Sequence, residues 1–353
     1  MALLTEPNVV GKREDLMDMI ALVDAKDTPL VSMAKKGQKP GNMYFRWQAD
    51  SMPAVKAGGT IDGTDVSSYD NYTKDGASTF RTELSNYAQI FRRAVRVSPL
   101  TEDVAVIAGV RDALAYEVSR AITLIKRDME VAFCSNQTAN ADNGTSQAYT
   151  TAGLQTWIST AGTGTGATIP SNFRTPSASI VTGANASLLT DAAVQGALTS
   201  IYEQTGTVKT FDCIVGTALK RAFTTQLLGT TTLTTTSTGG VTGAGATKVQ
   251  TFNRDAGDGT YIQAIDIFQG DFGTLRLHPS TFISTIAGAT VTATNFKGLI
   301  VDSSLIEVRY GGNVASVTEL PDAGGGPARL VQAVAGLVVG NPLGLGKFDY
   351  TAA

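Results

Sequence analysis

The chain has 353 residues, of which 42% are hydrophobic and 17% are charged, and its formal net charge is −3. A composition this apolar excludes a disordered chain, and a charge this close to zero excludes binding of nucleic acid through a strongly basic surface. At roughly 150 residues per domain, the length corresponds to about two domains.

Cysteine and histidine are too scarce for several kinds of site. Cys134 and Cys213 are the only cysteines, and His278 is the only histidine. These counts exclude a disulfide framework, a thiolate metal cluster and a metal site with two histidine ligands. Because His278 lies in an apolar run, we interpret it as a structural histidine with a hydrogen-bond partner. We expect no catalytic residues, no metal and no cofactor.

Nothing in the sequence predicts a membrane segment. The N-terminus is charged too early for a signal peptide, and the most apolar stretch, residues 330–339, is interrupted by Gln332. We expect synthesis in a reducing cytosol.

The first 98 residues read as two extensions of a body. Residues 1–42 have too little apolar surface to fold alone, which predicts an arm that lies on another surface. Within it, residues 27–30 predict a turn. Residues 43–50 alternate apolar and polar side chains, as a half-buried strand does, with one face formed by Met43, Phe45, Trp47 and Ala49.

A second strand-like run covers 80–97, and the residues between the two runs, 53–79, are rich in Gly, Asp, Ser and Thr. Connections within compact domains are mostly short. We therefore predict that residues 43–98 form a long two-stranded loop that reaches away from the body. A disordered surface insertion is the alternative.

Residues 99–133 carry the strongest local pattern. Apolar side chains recur at helical spacing, Ser98 and Pro99 suit a helix start, and Glu102 and Asp103 suit the first turn as partners of the helix dipole. At about 1.5 Å per residue, one helix of this length would be a rod of about 50 Å. That length predicts a structural strut.

The sequence after residue 133 predicts a mixed α+β body. Helices are predicted at 190–204, capped by Thr190 and followed by Gly206, and at 217–228. A loop is predicted for the Thr- and Gly-rich tract 229–247. Strands are predicted at 211–215, 260–268, 273–278, 299–309 and, as one strand or a pair, 329–349.

Three segments resemble phosphate- or calcium-binding loops, but their residues do not fit the patterns that such loops require. Residues 162–166 do not join a strand to a helix, and residues 340–347 end in Gly-Lys but lack the Ser or Thr that would hold magnesium. Residues 255–259 offer two carboxylates without the later ligands of a calcium loop.

Arg92, Arg93 and Arg96 form the densest basic cluster. Arginine suits a charge-paired contact to a neighbouring chain or to phosphate. A solvated strand end with local acidic partners would have the same sequence, so both interpretations stay open.

The order of the local motifs resembles the major capsid proteins of tailed double-stranded-DNA bacteriophages, which share the Hong-Kong-97-type fold. The matching motifs span most of the chain: Arg13–Leu16, Asp27–Leu30, Phe45–Ser51, Phe91–Ser98, Ile125–Glu130, Gly153–Trp157 and Asp271–Arg276. The resemblance implies an α+β chain with the following parts: an N-terminal arm (1–42), an extended loop (43–98), a peripheral domain (99–187) with a spine helix (99–133), an axial domain (188–298) and C-terminal strands that return to the peripheral domain (299–353).

The resemblance also implies a structural role without enzymatic activity. Copies would form hexamers and pentamers that tile an icosahedral shell around packaged phage DNA. Expected partners are the chain itself, portal, scaffold and decoration proteins, and double-stranded DNA through weak non-specific contacts. The expected location is the virion head, after assembly in the bacterial cytoplasm. Candidate intersubunit contacts are Arg92, Arg93, Arg96, Trp47 and Lys56.

Some members of this fold cross-link their subunits through a loop lysine. Nothing local marks Lys56 or Lys74 as reactive, so we predict no cross-link. Other functions stay open at this point: an encapsulin-like compartment shell protein with enzyme cargo, or a Thr/Gly-rich β adhesin or tail fibre, which would leave the helix at 99–133 without a role. An enzyme with a carboxylate-only site is the least favoured.

Overall fold

Two β-sheets and one long helix organise the chain in a computed structural model, which confirms the predicted α+β class. The structure describes residues 26–52, 58–59, 61–63, 81–103, 112–185, 189–227, 265–288, 290–312, 314–322 and 324–351. None of the helices in these ranges is long and apolar enough to cross a membrane. Residues 1–25, Lys56, Lys74, the tract 229–247 and the segment 255–259 lie outside them.

The helices are α1 (Pro29–Met33), α2 (Pro99–Asp103), α3 (Ala113–Phe133), α4 (Leu154–Trp157), α5 (Asp191–Thr205) and α6 (Thr217–Ala222). The strands are β1 (Lys35–Lys36), β2 (Tyr44–Asp50), β3 (Arg81–Tyr87), β4 (Gln89–Arg96), β5 (Ile180–Gly183), β6 (Lys209–Val215), β7 (Ile267–Gly270), β8 (Gly273–Pro279), β9 (Ser284–Ala287), β10 (Thr290–Ala293), β11 (Lys297–Val301), β12 (Ile306–Tyr310), β13 (Ser316–Leu320), β14 (Ala328–Val339) and β15 (Gly346–Tyr350).

The long strand β14 is the centre of a five-stranded sheet. One edge of β14 pairs antiparallel with β4, and the other pairs with β12 and β13, while β1 joins β12 in parallel. Helix α3 packs on one face, because every third or fourth residue of its second half is apolar and buried. The core between them contains Ala121, Ile125, Met129, Phe133, Val331, Ala333, Ala335, Leu337 and Val339.

A six-stranded mixed sheet in the order β5-β15-β11-β6-β8-β7 forms the second core. Helices α5 and α6 supply Leu198, Ile201 and Leu219 to it, and Phe223 meets Phe348 edge to face at 5.4 Å. The prediction for 190–204 is confirmed as α5, with Thr190 Oγ1 accepting from Ala193 N–H and Gly206 ending the helix at φ 66°.

The prediction of one continuous helix over 99–133 is wrong. Asp112 has an extended backbone (φ −135°, ψ 107°), and its Oδ1 accepts a hydrogen bond of 2.9 Å from Ala115 N–H, so α3 starts afresh at Ala113. Its 21 residues correspond to about 32 Å at 1.5 Å per residue. The long helix is thus shorter than the sequence predicts.

The prediction of one strand over 299–309 is also wrong. Asp302 Oδ1 accepts a hydrogen bond from Ser304 N–H, and the turn that this bond stabilises separates β11 from β12. The two strands belong to different sheets. The C-terminal segment 299–353 therefore contributes to both sheets.

Three further segments differ in detail from their predictions. The predicted turn at 27–30 gives way to α1, because Pro29 occupies the first helical position. The run 80–97 breaks at Ala88 into β3 and β4, and β4 belongs to the body sheet. Of the helix predicted at 217–228, residues Thr217–Ala222 are α-helical (α6), and Phe223–Leu227 continue them as a wider π-helical turn.

His278 has the structural environment that the sequence predicts. Its Nε2 lies 2.9 Å from Oδ1 of Asp212 on the neighbouring strand, where β8 runs parallel to β6. Both cysteine thiols are buried, and burial raises the pKa of each.

Asp112→Ala removes the cap that starts α3. We expect a loss of about 1 kcal/mol in the free energy of unfolding, with faster amide exchange confined to the first turn, residues 113–116. Urea unfolding and hydrogen exchange measure the two effects. Asp112→Asn, which keeps the accepting oxygen, is the control, and unchanged exchange in Asp112→Ala would contradict the helix start described above.

Candidate interaction surface

The segment 26–36 is fixed to the body by a buried carboxylate. Glu130 of α3 is fully buried and accepts hydrogen bonds from Leu30 N–H (2.9 Å) and Val31 N–H (2.8 Å), while Leu30 itself packs into the core. Pairing of β1 with β12 fixes the end of the same segment. The last part of the predicted arm thus has a defined position on the long helix.

Burial raises the pKa of Glu130 to about 7. The two backbone donors and the thiol of Cys134, 3.7 Å away, act in the opposite direction without cancelling this effect. Desolvation disfavours the charged form of a carboxyl group. The group therefore changes its charge close to neutral pH.

A β-hairpin stands on the other face of the five-stranded sheet. Strands β2 and β3 pair antiparallel from Tyr44↔Tyr87 to Asp50↔Arg81, which matches the predicted alternation of residues 43–50. Phe45 packs against Val338, and a Cβ atom on Gly336 would lie 2.6 Å from the Phe45 ring, so the close approach requires glycine.

Trp47 also lies at the base of the hairpin, where β2 contacts the five-stranded sheet. Its Nε1 donates to Val339 O at 3.0 Å, and its ring lies 5.4 Å from that of Trp157. Tryptophan combines a large apolar area with one hydrogen-bond donor. Trp47, a predicted intersubunit contact, therefore has an intrachain role in holding the hairpin.

Asn86 joins the hairpin to the body. This fully buried side chain donates to Leu337 O at 2.7 Å and to Thr151 Oγ1 at 3.1 Å, and its Oδ1 accepts from Ala152 N–H at 2.8 Å. A buried amide with all of its bonds made orients its neighbours strongly. The hairpin base is thus part of the core.

The three arginines of β4 have different environments. Arg93 forms a bidentate ion pair with Asp128 of α3 (2.8 and 2.9 Å), and Arg96 bonds Gly326 O and Asp322 on the turn before β14. Arg92 is exposed and has no side-chain partner among the described residues. Local acidic partners therefore account for Arg93 and Arg96.

An open groove runs beside β4. Its volume is about 630 Å³, and it is lined by β4, α3, the loop after α3 and the β9–β10 hairpin, with the residues Gln89, Ile90, Phe91, Arg92, Arg93, Asp128, Val131, Ala132, Gln137, Ile286, Gly288 and Val291. Ile90 is 46% exposed and Val291 is 53% exposed. Among the described strands, β4 pairs only with β14, so its other edge is unpaired. An unpaired strand edge can accept an additional strand.

The structure brings Arg92, Arg93 and Arg96 onto one strand and places Trp47 separately, at the hairpin base. Sequence reasoning missed Glu130 and Asn86. A glutamate within the apolar stripe of a helix was the available signal for Glu130, whereas Asn86 has no sequence signal because its partners lie far away along the chain.

Asn86→Ala should uncouple the hairpin from the body. Ala152 N–H and Leu337 O would lose a buried partner, so we expect a loss of about 2–4 kcal/mol in the free energy of unfolding. Urea unfolding measures the loss, and Gln48→Ala on the exposed face of β2 is the control. Equal stability of the two variants would contradict this account.

Comparison with known proteins gives one family. The model of the SU10 major capsid protein family matches residues 4–351. The major capsid protein of Escherichia phage Phieco32 is 31% identical over 127 residues, which are 36% of this chain and 34% of that protein. The match thus spans about a third of the length of this curated relative.

Solved structures show the fold. The capsid structure of the cyanophage P-SCSP1u has a TM-score of 0.60 at 9% identity and covers 97% of this chain and 93% of its own. The holo-SrpI encapsulin complex from Synechococcus elongatus PCC 7942 has a TM-score of 0.52 at 11% identity, with 96% and 92% covered. The expected Hong-Kong-97-type fold is confirmed, and capsid and encapsulin chains share it.

Proposed function

The chain belongs to the SU10 major capsid protein family, and we propose on this premise that it forms the shell of a phage head. The observation that carries the proposal is the extent of the family match, residues 4–351, which includes both cores, the hairpin and the arm segment. In this function the chain is structural and non-enzymatic. Its copies form hexamers and pentamers that tile an icosahedral shell around packaged DNA.

The two extensions support assembly through neighbouring copies. The anchor at 26–36 and the hairpin base fix where each extension leaves the body. Of the sequences beyond these points, 1–25 is too short to form a core of its own and 53–79 is poor in large apolar side chains. Burial against sister subunits would supply the contacts that these segments cannot make within their own chain. A net charge of −3 per copy limits repulsion within a shell of many copies.

Arg92 is the intersubunit contact that we propose first. It is exposed beside the groove and the unpaired edge of β4, so a neighbouring copy can reach it. The loop segment 51–80 carries four aspartates against two lysines, and such a segment of a second copy complements Arg92 in charge. Lys56 lies in this segment and is proposed as a further contact. Arg93, Arg96 and Trp47 would act indirectly, by positioning β4 and the hairpin.

The finer assignments follow from the same proposal. Within this proposal the peripheral domain covers 99–187 and the axial domain 188–298, α3 is the spine helix, and β4 is counted with the body sheet instead of the extended loop. Assembly takes place in the bacterial cytoplasm and leads to the virion head. Portal, scaffold and decoration proteins are partners, and DNA contacts are weak and sequence-blind.

An encapsulin-like compartment is the second candidate, because the encapsulin complex has the same fold. The contents of the particle separate the two functions: packaged DNA for a phage head and an enzyme for an encapsulin.

Microscopy of the expressed full chain tests the proposal. Negative-stain images should show closed shells or flat rings with six-fold symmetry. A compact monomer under every assembly condition would refute the shell function, and particles from infected cells that hold protein cargo without DNA would favour the encapsulin.

Arg92→Glu should impair assembly without unfolding the chain. Placing a negative charge against an acidic segment should raise the concentration needed for assembly at least about tenfold. Light scattering measures assembly, and urea unfolding checks that the fold is intact. Arg92→Lys, which keeps the charge, should assemble nearly as the wild type does. Normal assembly of Arg92→Glu would remove Arg92 from the interface.

A further inference from the structure

The anchor of the N-terminal arm depends on one ionisable group. Helix α1 is only five residues long, and its two hydrogen bonds to α3 end on the carboxylate of Glu130. A helix this short has little stability of its own. Docking of α1 therefore depends on this contact, on burial of Leu30 with partial burial of Val31 and Met33, and on the two-residue pairing of β1 with β12.

We propose that Glu130 and α1 form a proton-linked latch: docking of the arm anchor takes up a proton, so the anchor is held most tightly in acid and loosens towards neutral pH. The role in a shell rests on the proposed function, whereas the latch itself is a property of the single chain. In an assembled particle it would make the attachment of the arm respond to the pH around the shell.

The direction of the pH dependence follows from the environment of Glu130 in the docked and the open state. In the docked state the group is fully buried, and its pKa is raised from 4.5 to about 7. When α1 leaves, water reaches the carboxylate and its pKa returns towards the ordinary value. The open state then binds fewer protons between these two pKa values, so opening becomes more favourable as pH rises through this range and levels off above it.

The groups around Glu130 do not offset this effect. Helix α1 has no ionisable side chain, and the pKa of the Cys134 thiol is raised by burial, which keeps it protonated. On α3, Asp128 is paired with Arg93, and Lys126 is exposed. No ion pair links Glu130 to a lysine or arginine in the described part of the chain, and Arg127, three residues before it on α3, has an interaction of its own and is not among the groups that shift the pKa of Glu130. Among the residues that the structure describes, the groups that hydrogen-bond the Glu130 carboxylate are therefore the two amides and the thiol.

Hydrogen exchange of the full-length chain tests the latch, because the amides of Leu30 and Val31 are themselves the donors. Peptides covering 28–36 are followed from pH 5 to pH 8, and each rate is divided by the intrinsic rate at that pH. We expect the opening equilibrium constant to rise at least about tenfold between pH 5 and pH 7 and then to level off. Peptides of the β14 core serve as the internal reference.

Glu130→Gln removes the titration while it keeps an accepting oxygen, so its opening constant should not change with pH. Glu117→Gln is the matched control on the same helix, where the exposed Glu117 pairs with Arg120, and it should keep the wild-type slope. A flat wild-type profile, or a Glu130→Gln variant with the wild-type slope, would overturn the proposal. If Glu130→Gln does not fold, the wild-type profile alone decides.

The same samples are examined by microscopy. A flat exchange profile in a chain that forms shells refutes the latch alone, and a normal profile in a chain that never assembles refutes the shell function alone.

Discussion

The twelve residues of β14 are the constraint on which the other elements depend. This strand pairs on one edge with β4 and on the other with β12 and β13, and its last five residues, Leu337 and Val338 among them, are buried. Burial on both faces is possible only because α3 covers one side and the β2–β3 hairpin covers the other. The strand that organises the core therefore also fixes the hairpin.

This arrangement explains how a rigid body can carry long extensions. Each extension begins at a buried polar group with its hydrogen bonds made, Glu130 for the arm and Asn86 for the hairpin. Buried polar groups contribute little net stability but favour one geometry over others, because every alternative leaves a donor or acceptor unsatisfied. The direction in which an extension leaves the body is thereby specified, which is what a subunit that must meet its neighbours at fixed positions requires.

The sequence was sufficient wherever the determining interactions are local. The alternation of residues 43–50 predicted β2, and Thr190 and Gly206 predicted both ends of α5. It failed where one side chain changes the path of the backbone, as Asp112 and Asp302 do, since the sequence alone does not distinguish a capping aspartate from an exposed one.

The interaction surface was predictable only in part, for the same reason. The arginine cluster is visible as three residues in one short run, but the separation of Arg92 from its paired neighbours depends on Asp128 and Asp322, which approach from other elements. Glu130 lies 100 residues from Leu30, and Asn86 lies 251 residues from Leu337. No local pattern encodes contacts at such distances, whereas the order of many weak motifs along the chain was enough to indicate the family.

The edge of β4 that no described strand pairs with combines protection against non-specific strand pairing with selectivity for a partner segment. An exposed strand edge flanked by Ile90 and Val291 would invite association with any extended chain. Charged side chains are the usual protection, and Arg92 and Arg96 supply them on the exposed face of β4. The positive charge of Arg92 also makes binding selective, because a segment with aspartates gains a favourable electrostatic interaction with Arg92, while a basic or neutral segment does not. In the proposed shell, Arg92 would thus favour an acidic loop of a sister copy, while Arg93 remains paired with Asp128 within the chain.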